Sequence, residues 1–166
     1  MSSAETIPRF VRSALTKSDM AVLYTTRMSD CIFCKIIRGE LPSYKVYENE
    51  NTFAFLDIKP VNAGHTLVVP KKHSHNIFDI APDDWAALAE AARVISIAIE
   101  KGLGADGVNI AMNNREHAGQ IVDHPHLHII PRFKGDGLKL MPQRTYAASE
   151  AETSAEKIRA AVAAGQ

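Results

Sequence analysis

At 166 residues the chain has the length of one ordinary domain, enough to bury a core without disulfide support. Its 19 basic and 19 acidic side chains cancel, which leaves no electrostatic basis for gripping a nucleic acid polymer or a membrane surface. The composition, 46% hydrophobic and 23% charged, is that of a globular protein, and no apolar run approaches the roughly 18 residues that span a bilayer.

Residues 1–28 read as an N-terminal extension. Arg9, Arg12, Lys17 and Arg27 outnumber Glu5 and Asp19 there, among many Ser and Thr, a composition shared by organellar transit segments and flexible termini. A domain is expected over 29–140. Asp30 is placed to cap a short helix, Ile32 to Arg38, closed by Gly39. Lys45 to Glu48 reads as a short strand and Glu48 to Asn51 as a turn. Over 52–57, Phe53, Phe55 and Asp57 alternate with Ala54 and Leu56, the period of a strand. A third strand is predicted over 65–70. Pro82-Asp83-Asp84 opens one long helix, on which Leu88, Ala91, Ala92, Ile95 and Ile99 recur every three or four residues; Gly102 and Gly104 stop it. A strand over 107–112, a polar loop from Asn113 to Gly119 and a strand over 121–132 follow. The tail, 141–166, has helical composition from Ala147 with a thin apolar face. Short connections and the lack of a strand–helix–strand series predict an α+β fold: an antiparallel sheet of about five strands with one long and one short helix.

The only two cysteines, Cys31 and Cys34, form a C-x-x-C. With no secretory signal, the pair suits a reduced compartment, the cytoplasm, and a metal or redox role. No thioredoxin-like context surrounds it, and plain burial is the remaining reading. More distinctive is His124-Pro125-His126-Leu127-His128. Successive strand side chains alternate between faces, so the three imidazoles share one face while Leu127 and Ile129 point into a core. Packing alone rarely puts three imidazoles on one surface.

This stretch resembles the motif of the histidine-triad (HIT) family, His-φ-His-φ-His-φ-φ with φ apolar. Ala118-Gly119-Gln120 before it and Pro131-Arg132 after it agree, as do the blocks 31–37, 55–58 and 64–73 in their order. The resemblance covers about residues 29–135. It implies a HIT-like fold, usually a homodimer, and nucleotidyl hydrolase or transferase chemistry. It makes His126 the nucleophile on a nucleotide α-phosphate, with His128 a phosphate contact and His124 the third member of the set. It puts Asn113, Gly119 and Gln120 in a phosphate-binding loop, Asp57 at the ribose hydroxyls, and Ile32, Phe33, Ile36, Phe55 and Leu67 in a base pocket. The chemistry is sound. A neutral imidazole approaches a phosphate anion without charge repulsion and splits one hard displacement into two easier ones. A carboxylate can accept from two hydroxyls. Plainer readings stand beside these: a glycine-bearing turn for the loop, a turn-forming role for Asp57 before Lys59-Pro60, and core packing for the five apolar residues.

Cys31 and Cys34 have zinc-ligand spacing. His73 and His124 occupy the positions used by the zinc-bearing, mostly bacterial-type branch of the family, so the resemblance implies one structural zinc per chain. Three departures stand out. Ile121 replaces the Ser of the Hint branch, near the leaving group. Pro125 lacks an N–H, so the strand should be unpaired or bulged there. Asp123 either orients an imidazole or is a solvent-facing charge. The expected activity is hydrolysis of adenosine-type nucleotides to a nucleoside monophosphate. The expected partner is a purine nucleotide such as adenosine phosphoramidate, as in the Hint branch, or diadenosine polyphosphate, as in the Fhit branch. A nucleotidyl transferase and a non-catalytic nucleotide-binding scaffold are the alternatives.

Overall fold

The computed structural model describes residues 30–139 and 143–165; the extension expected over 1–28 lies outside them. The elements are α1 (Ile32–Ile37), β1 (Lys45–Glu48), β2 (Thr52–Leu56), β3 (Thr66–Pro70), α2 (Pro82–Leu103), β4 (Gly107–Ala111), a 3₁₀ turn (Glu116–Ala118), β5 (Leu127–Arg132) and α3 (Glu150–Ala164). All neighbouring strands pair antiparallel, in the order β1-β2-β3-β5-β4. The described residues up to Lys134 form one unit and those from Gly135 a second. The second carries α3, which buries no side chain. No helix among the described residues is long and apolar enough to cross a membrane.

The sheet is covered on both faces. On one, Leu88, Ala91, Ala92, Ile95 and Ile99 of α2 pack against Ala54, Val68, Leu127 and Ile129. Removing each large aliphatic side chain from water contributes about 1.5–3 kcal/mol. On the other, Phe33 of α1 packs with Phe53, Phe55, Leu67 and Val69. The alternation read over 52–57 is therefore realised, with Phe53 and Phe55 on the α1 face and Ala54 on the α2 face. On β5 the same parity sends Leu127 and Ile129 toward α2 and leaves His128 facing away from it.

The long helix opens with Pro82 and two aspartates in its first turn, which suits both the free N–H groups and the dipole there. It runs through Gly102 and ends at Gly104, whose φ of 66° gives the left-handed cap. Gly102 is thus not the stop expected, because a glycine weakens a last turn without ending it. Asp30 does not cap α1 either. The N-cap is Cys31, without a side-chain bond, and Asp30 pairs instead with Lys35 at 3.6 Å. Gly64 enters β3 at φ 88°, and a β-carbon there would collide with the Leu103 side chain.

The strand expected over 121–132 begins only at Leu127. Before it the chain is irregular, and His124 N–H donates to Val122 O at 2.9 Å in a tight turn. Pro125 has no N–H to give a ladder, so the loss of pairing expected at that residue extends over the whole approach to β5.

Candidate active site

His126 sits where this irregular approach meets β5. Its Nδ1 lies 2.7 Å from His124 O. A carbonyl only accepts, so the Nδ1 carries the proton and the Nε2 keeps its lone pair. The Phe33 ring meets the imidazole edge-on, centroids 5.2 Å apart. Burial lowers the His126 pKa, against the smaller opposing effects of the His124 carbonyl and Asp57, so the ring is neutral at pH 7.

His65, to which sequence alone assigns nothing, sets the state of His128. Val61 N–H donates to His65 Nδ1 at 3.2 Å, so the His65 proton is on Nε2. That nitrogen lies 2.9 Å from His128 Nδ1 and donates to it, which leaves the His128 proton on Nε2. One backbone amide thus propagates a tautomer through two rings. Burial, then His126 and His65, lowers the His128 pKa to about 4. Burial likewise lowers His65, although Asp57 opposes it. The His126 and His128 rings are 5.0 Å apart. One presents a lone pair and its neighbour an N–H, a pair suited to attacking phosphorus while binding a phosphoryl oxygen. The clues to His65 in the sequence are its place at the entry to a predicted strand and within the 64–73 block that resembles the family. Asp57, His65 and His128 also lie within 4.8 Å of one another, but both His65 nitrogens are already bonded, which makes this a hydrogen-bond chain.

Asp57 follows β2 immediately. Its Oδ1 accepts Lys59 N–H at 2.8 Å, so the turn-forming role is real. Its Oδ2 lies 3.7 Å from His65 Nδ1. Phe33, Phe55 and Leu67 are buried together, with Ile36 packed against them. Ile32 alone of the five apolar candidates is open to solvent, at 46% exposure.

In the 113–120 loop, Asn113 Nδ2 donates to Gly119 O at 3.4 Å, and Gly119 is left-handed at φ 86°. Gln120 braces three segments. Its Oε1 accepts Arg115 N–H at 2.6 Å, and its Nε2 donates to His75 O at 2.6 Å and Val122 O at 3.0 Å. Its amide therefore shapes the loop. Ile121 is almost fully exposed. Asp123 does orient an imidazole, that of His75, at 2.8 Å.

The fourth group is Cys31, Cys34, His73 and His124, gathered from α1, the segment after β3 and the approach to β5. Their ligand atoms lie within 4.8 Å of one another. His73 Nδ1 and His124 Nδ1 are 3.3 Å apart. Sulfur-to-nitrogen separations are 3.4 Å for Cys34–His73, 3.5 Å for Cys31–His124 and 3.6 Å for Cys34–His124. A tetrahedron with metal–nitrogen bonds near 2.05 Å and metal–sulfur bonds near 2.3 Å has N–N edges of about 3.3 Å and N–S edges of about 3.5–3.6 Å. His124 Nε2 lies 2.9 Å from Pro70 O, which holds the proton there and turns the Nδ1 lone pair toward the cluster. Burial, then Cys31, pushes the Cys34 thiol up to about 12. A cation among the four reverses that cost by favouring the thiolate. The four residues fit a tetrahedral metal ion.

Residues 38–135, more than half of the chain, match the HIT domain. An uncharacterized HIT-like protein of Methanocaldococcus jannaschii is 55% identical over 107 residues, 64% of this chain and 82% of that protein. An adenylylsulfatase of Arabidopsis thaliana is 41% identical over 126 residues, 76% of this chain and 64% of the plant protein. An adenosine 5′-monophosphoramidase of Candida albicans is 38% identical over 109 residues, 63% of this chain and 71% of that protein. The structure of a Zn-bound histidine triad family protein from Mycobacterium smegmatis superposes with a TM-score of 0.65 at 37% identity, covering 83% of this chain and 99% of that one. The chain belongs to the histidine-triad family, with the α+β fold that the family resemblance implies.

Proposed function

We propose that this protein hydrolyses adenosine-type nucleotides at the α-phosphate through a covalent nucleotidyl–His126 intermediate. The observation that carries the reading is the bond from His126 Nδ1 to His124 O, which aims an unprotonated Nε2 at substrate. In the first step the Nε2 lone pair forms a bond to the α-phosphorus while the bond to the leaving group breaks; the electron pair departs with that group, which takes a proton from solvent when it leaves as an amine. The Nε2–H of His128 binds a phosphoryl oxygen as its charge develops. Water then attacks the same phosphorus and gives up a proton to solvent while the phosphorus–Nε2 bond breaks and its electron pair returns to Nε2, releasing a nucleoside monophosphate and restoring His126. The loop bearing Asn113, Gly119 and Gln120 cradles the phosphate, while Ile32, Phe33, Ile36, Phe55 and Leu67 enclose the base. The substrate class draws support from the adenylylsulfatase and monophosphoramidase relatives. The test is a panel of adenosine phosphoramidate, diadenosine triphosphate and diadenosine tetraphosphate, with acid-quenched mass spectrometry of the protein. Turnover of at least one, with an adenylyl adduct on the peptide bearing His126, is expected. No turnover across the panel, or release of adenylate only to an added acceptor, would overturn it.

Zinc is the metal the donor set favours, since two thiolates and two imidazoles in a closed tetrahedron are typical of structural zinc. Cys31, Cys34, His73 and His124 would hold it, with no position left for substrate. Thiols kept for a metal agree with a reducing, cytoplasmic setting.

The active form is read as a homodimer. β4 is an edge strand, and Ile97, Leu103 and Ile110 on α2 and β4 are exposed. A free edge beside apolar side chains invites pairing with a second copy. Light scattering at micromolar concentration should report twice the chain mass; a monomer would count against it.

Asp57 is expected to read the ribose. With one oxygen held by the Lys59 turn, the other remains for the hydroxyls. Hydrogen bonds to a charged group are worth about 1.5–3 kcal/mol each before desolvation. Asp57→Ala should therefore raise KM about tenfold to a hundredfold with little change in kcat, because a ribose contact is equal in ground and transition states. A 2′-deoxy substrate should lose a similar factor with wild type and almost nothing more with the variant. If the deoxy penalty persists in Asp57→Ala, the residue serves only the turn.

A further inference from the structure

Cys31 and Cys34 are the only cysteines of the chain, and both are free thiols. They differ in access. Cys34 is buried, whereas Cys31 is half-buried and lines a surface cavity of about 390 Å³ together with Ile32, His73, Ile121 and Asp123. Hydrogen peroxide is little larger than water, whose share of the liquid is about 30 Å³, so this opening admits it to the Cys31 sulfur. A cation among the four ligands keeps that sulfur a thiolate, the form that reacts.

The two sulfurs lie within 4.8 Å of each other, three residues apart across the start of α1, a separation that small side-chain rotations can close into a disulfide. In a tetrahedron with metal–sulfur bonds near 2.3 Å the S–S edge is about 3.8 Å, against about 2.05 Å in a disulfide. The two states exclude each other. Once the sulfurs share a bond, neither is a thiolate ligand, and His73 and His124 are too few to close a site. Phe33, between the cysteines in sequence, meets the His126 ring edge-on at 5.2 Å. The carbonyl that holds the His126 Nδ1 proton belongs to His124. Release of the ion thus frees both supports of the His126 ring.

We propose that Cys31 and Cys34 form an oxidation site, at which a peroxide makes a disulfide that expels the metal and disables His126. This rests on the metal and hydrolase readings above and adds a regulation to them. The Cys31 thiolate attacks one peroxide oxygen, the O–O bond breaks, and the departing hydroxide takes a proton from solvent to become water. The Cys34 thiolate then attacks the sulfur of the resulting sulfenic acid, whose hydroxide leaves and takes a second proton to become a second water. Two electrons pass from the sulfurs to the peroxide.

The experiment treats the full chain, as purified with its metal, with hydrogen peroxide. It follows zinc release with a chromogenic chelator, free thiols, intact mass, Tm and hydrolysis of adenosine phosphoramidate and the diadenosine polyphosphates. One zinc should leave for every two thiols lost, the chain should lose about 2 Da, and no covalent dimer should appear on a non-reducing gel. Tm should fall toward that of chelator-stripped protein, and hydrolysis by about tenfold or more, the scale of a misplaced reacting group. A dithiol with added zinc should restore mass, Tm and rate, which separates the disulfide from methionine sulfoxide. Zinc and thiols retained in excess peroxide would overturn the proposal. So would release accompanied by added oxygens on sulfur or a covalent dimer, or full release with an unchanged rate. Protein purified without zinc would overturn the metal reading, and this one with it. Wild type inactive on the whole panel before oxidation would overturn the hydrolase reading and the disabling of His126, while zinc release and mass still decide the disulfide.

Discussion

His126→Ala is expected to lower kcat/KM by on the order of 10⁴-fold or more, the scale seen when a covalent nucleophile is removed, while leaving a folded protein. The effect is large because nothing nearby can replace the lost atom. His128 holds its proton on Nε2 through the chain from Val61 and His65, so its open nitrogen donates and does not attack. The His124 lone pair faces the cysteine–histidine cluster. Loss of the ring removes its edge contact with Phe33 and leaves a small void, so a modest fall in Tm is expected with an unchanged circular dichroism spectrum. Full retention of nucleotide binding by titration calorimetry, with no adenylyl adduct, would complete the result. Activity within tenfold of wild type would sink the covalent mechanism.

Metal removal should have the second large effect. Elemental analysis of protein purified without added metal is expected to find one zinc per chain. Stripping it with a strong chelator should lower Tm by about 10–20 °C. Structural zinc binds with about 10–16 kcal/mol in small domains; recovering even a third of that at about 2–4 °C per kcal/mol gives this range. The four ligands tie α1, the segment after β3 and the approach to β5 together, and without the ion their lone pairs crowd at 3.3–3.6 Å. Activity should fall with the metal, because Phe33 lies between Cys31 and Cys34 on α1 and touches the His126 ring. Cys34→Ala should reproduce both losses. A metal-free chain with unchanged Tm and two reactive thiols would refute the site.

Much of this was legible in the residues because local periodicity carries it. Alternation over 52–57 and along Leu127–Ile129 assigns faces directly, and the apolar spacing of α2 picks out the five residues that enter the core. The motif blocks also name the four cysteine and histidine residues that the fold brings within 4.8 Å. Boundaries were less secure. Gly102 looks like a stop until Gly104 takes the left-handed cap, and Asp30 looks like a cap until Cys31 takes the N-cap of a helix that starts at Ile32. A strand over 121–132 is a fair reading of alternating text, but it ignores that a ladder needs a partner as well as a pattern; β5 pairs only from Leu127.

What the sequence determined by itself is the set of faces, elements and donor types, since these follow from side-chain order along one chain. What only the tertiary structure decided is the proton placement. The tautomers of His65 and His128 depend on one amide at Val61 and on two rings 63 residues apart meeting at 2.9 Å. The contact between His65 and His128 joins two distant segments, and no local pattern encodes a hydrogen bond whose partner is supplied from elsewhere in the fold.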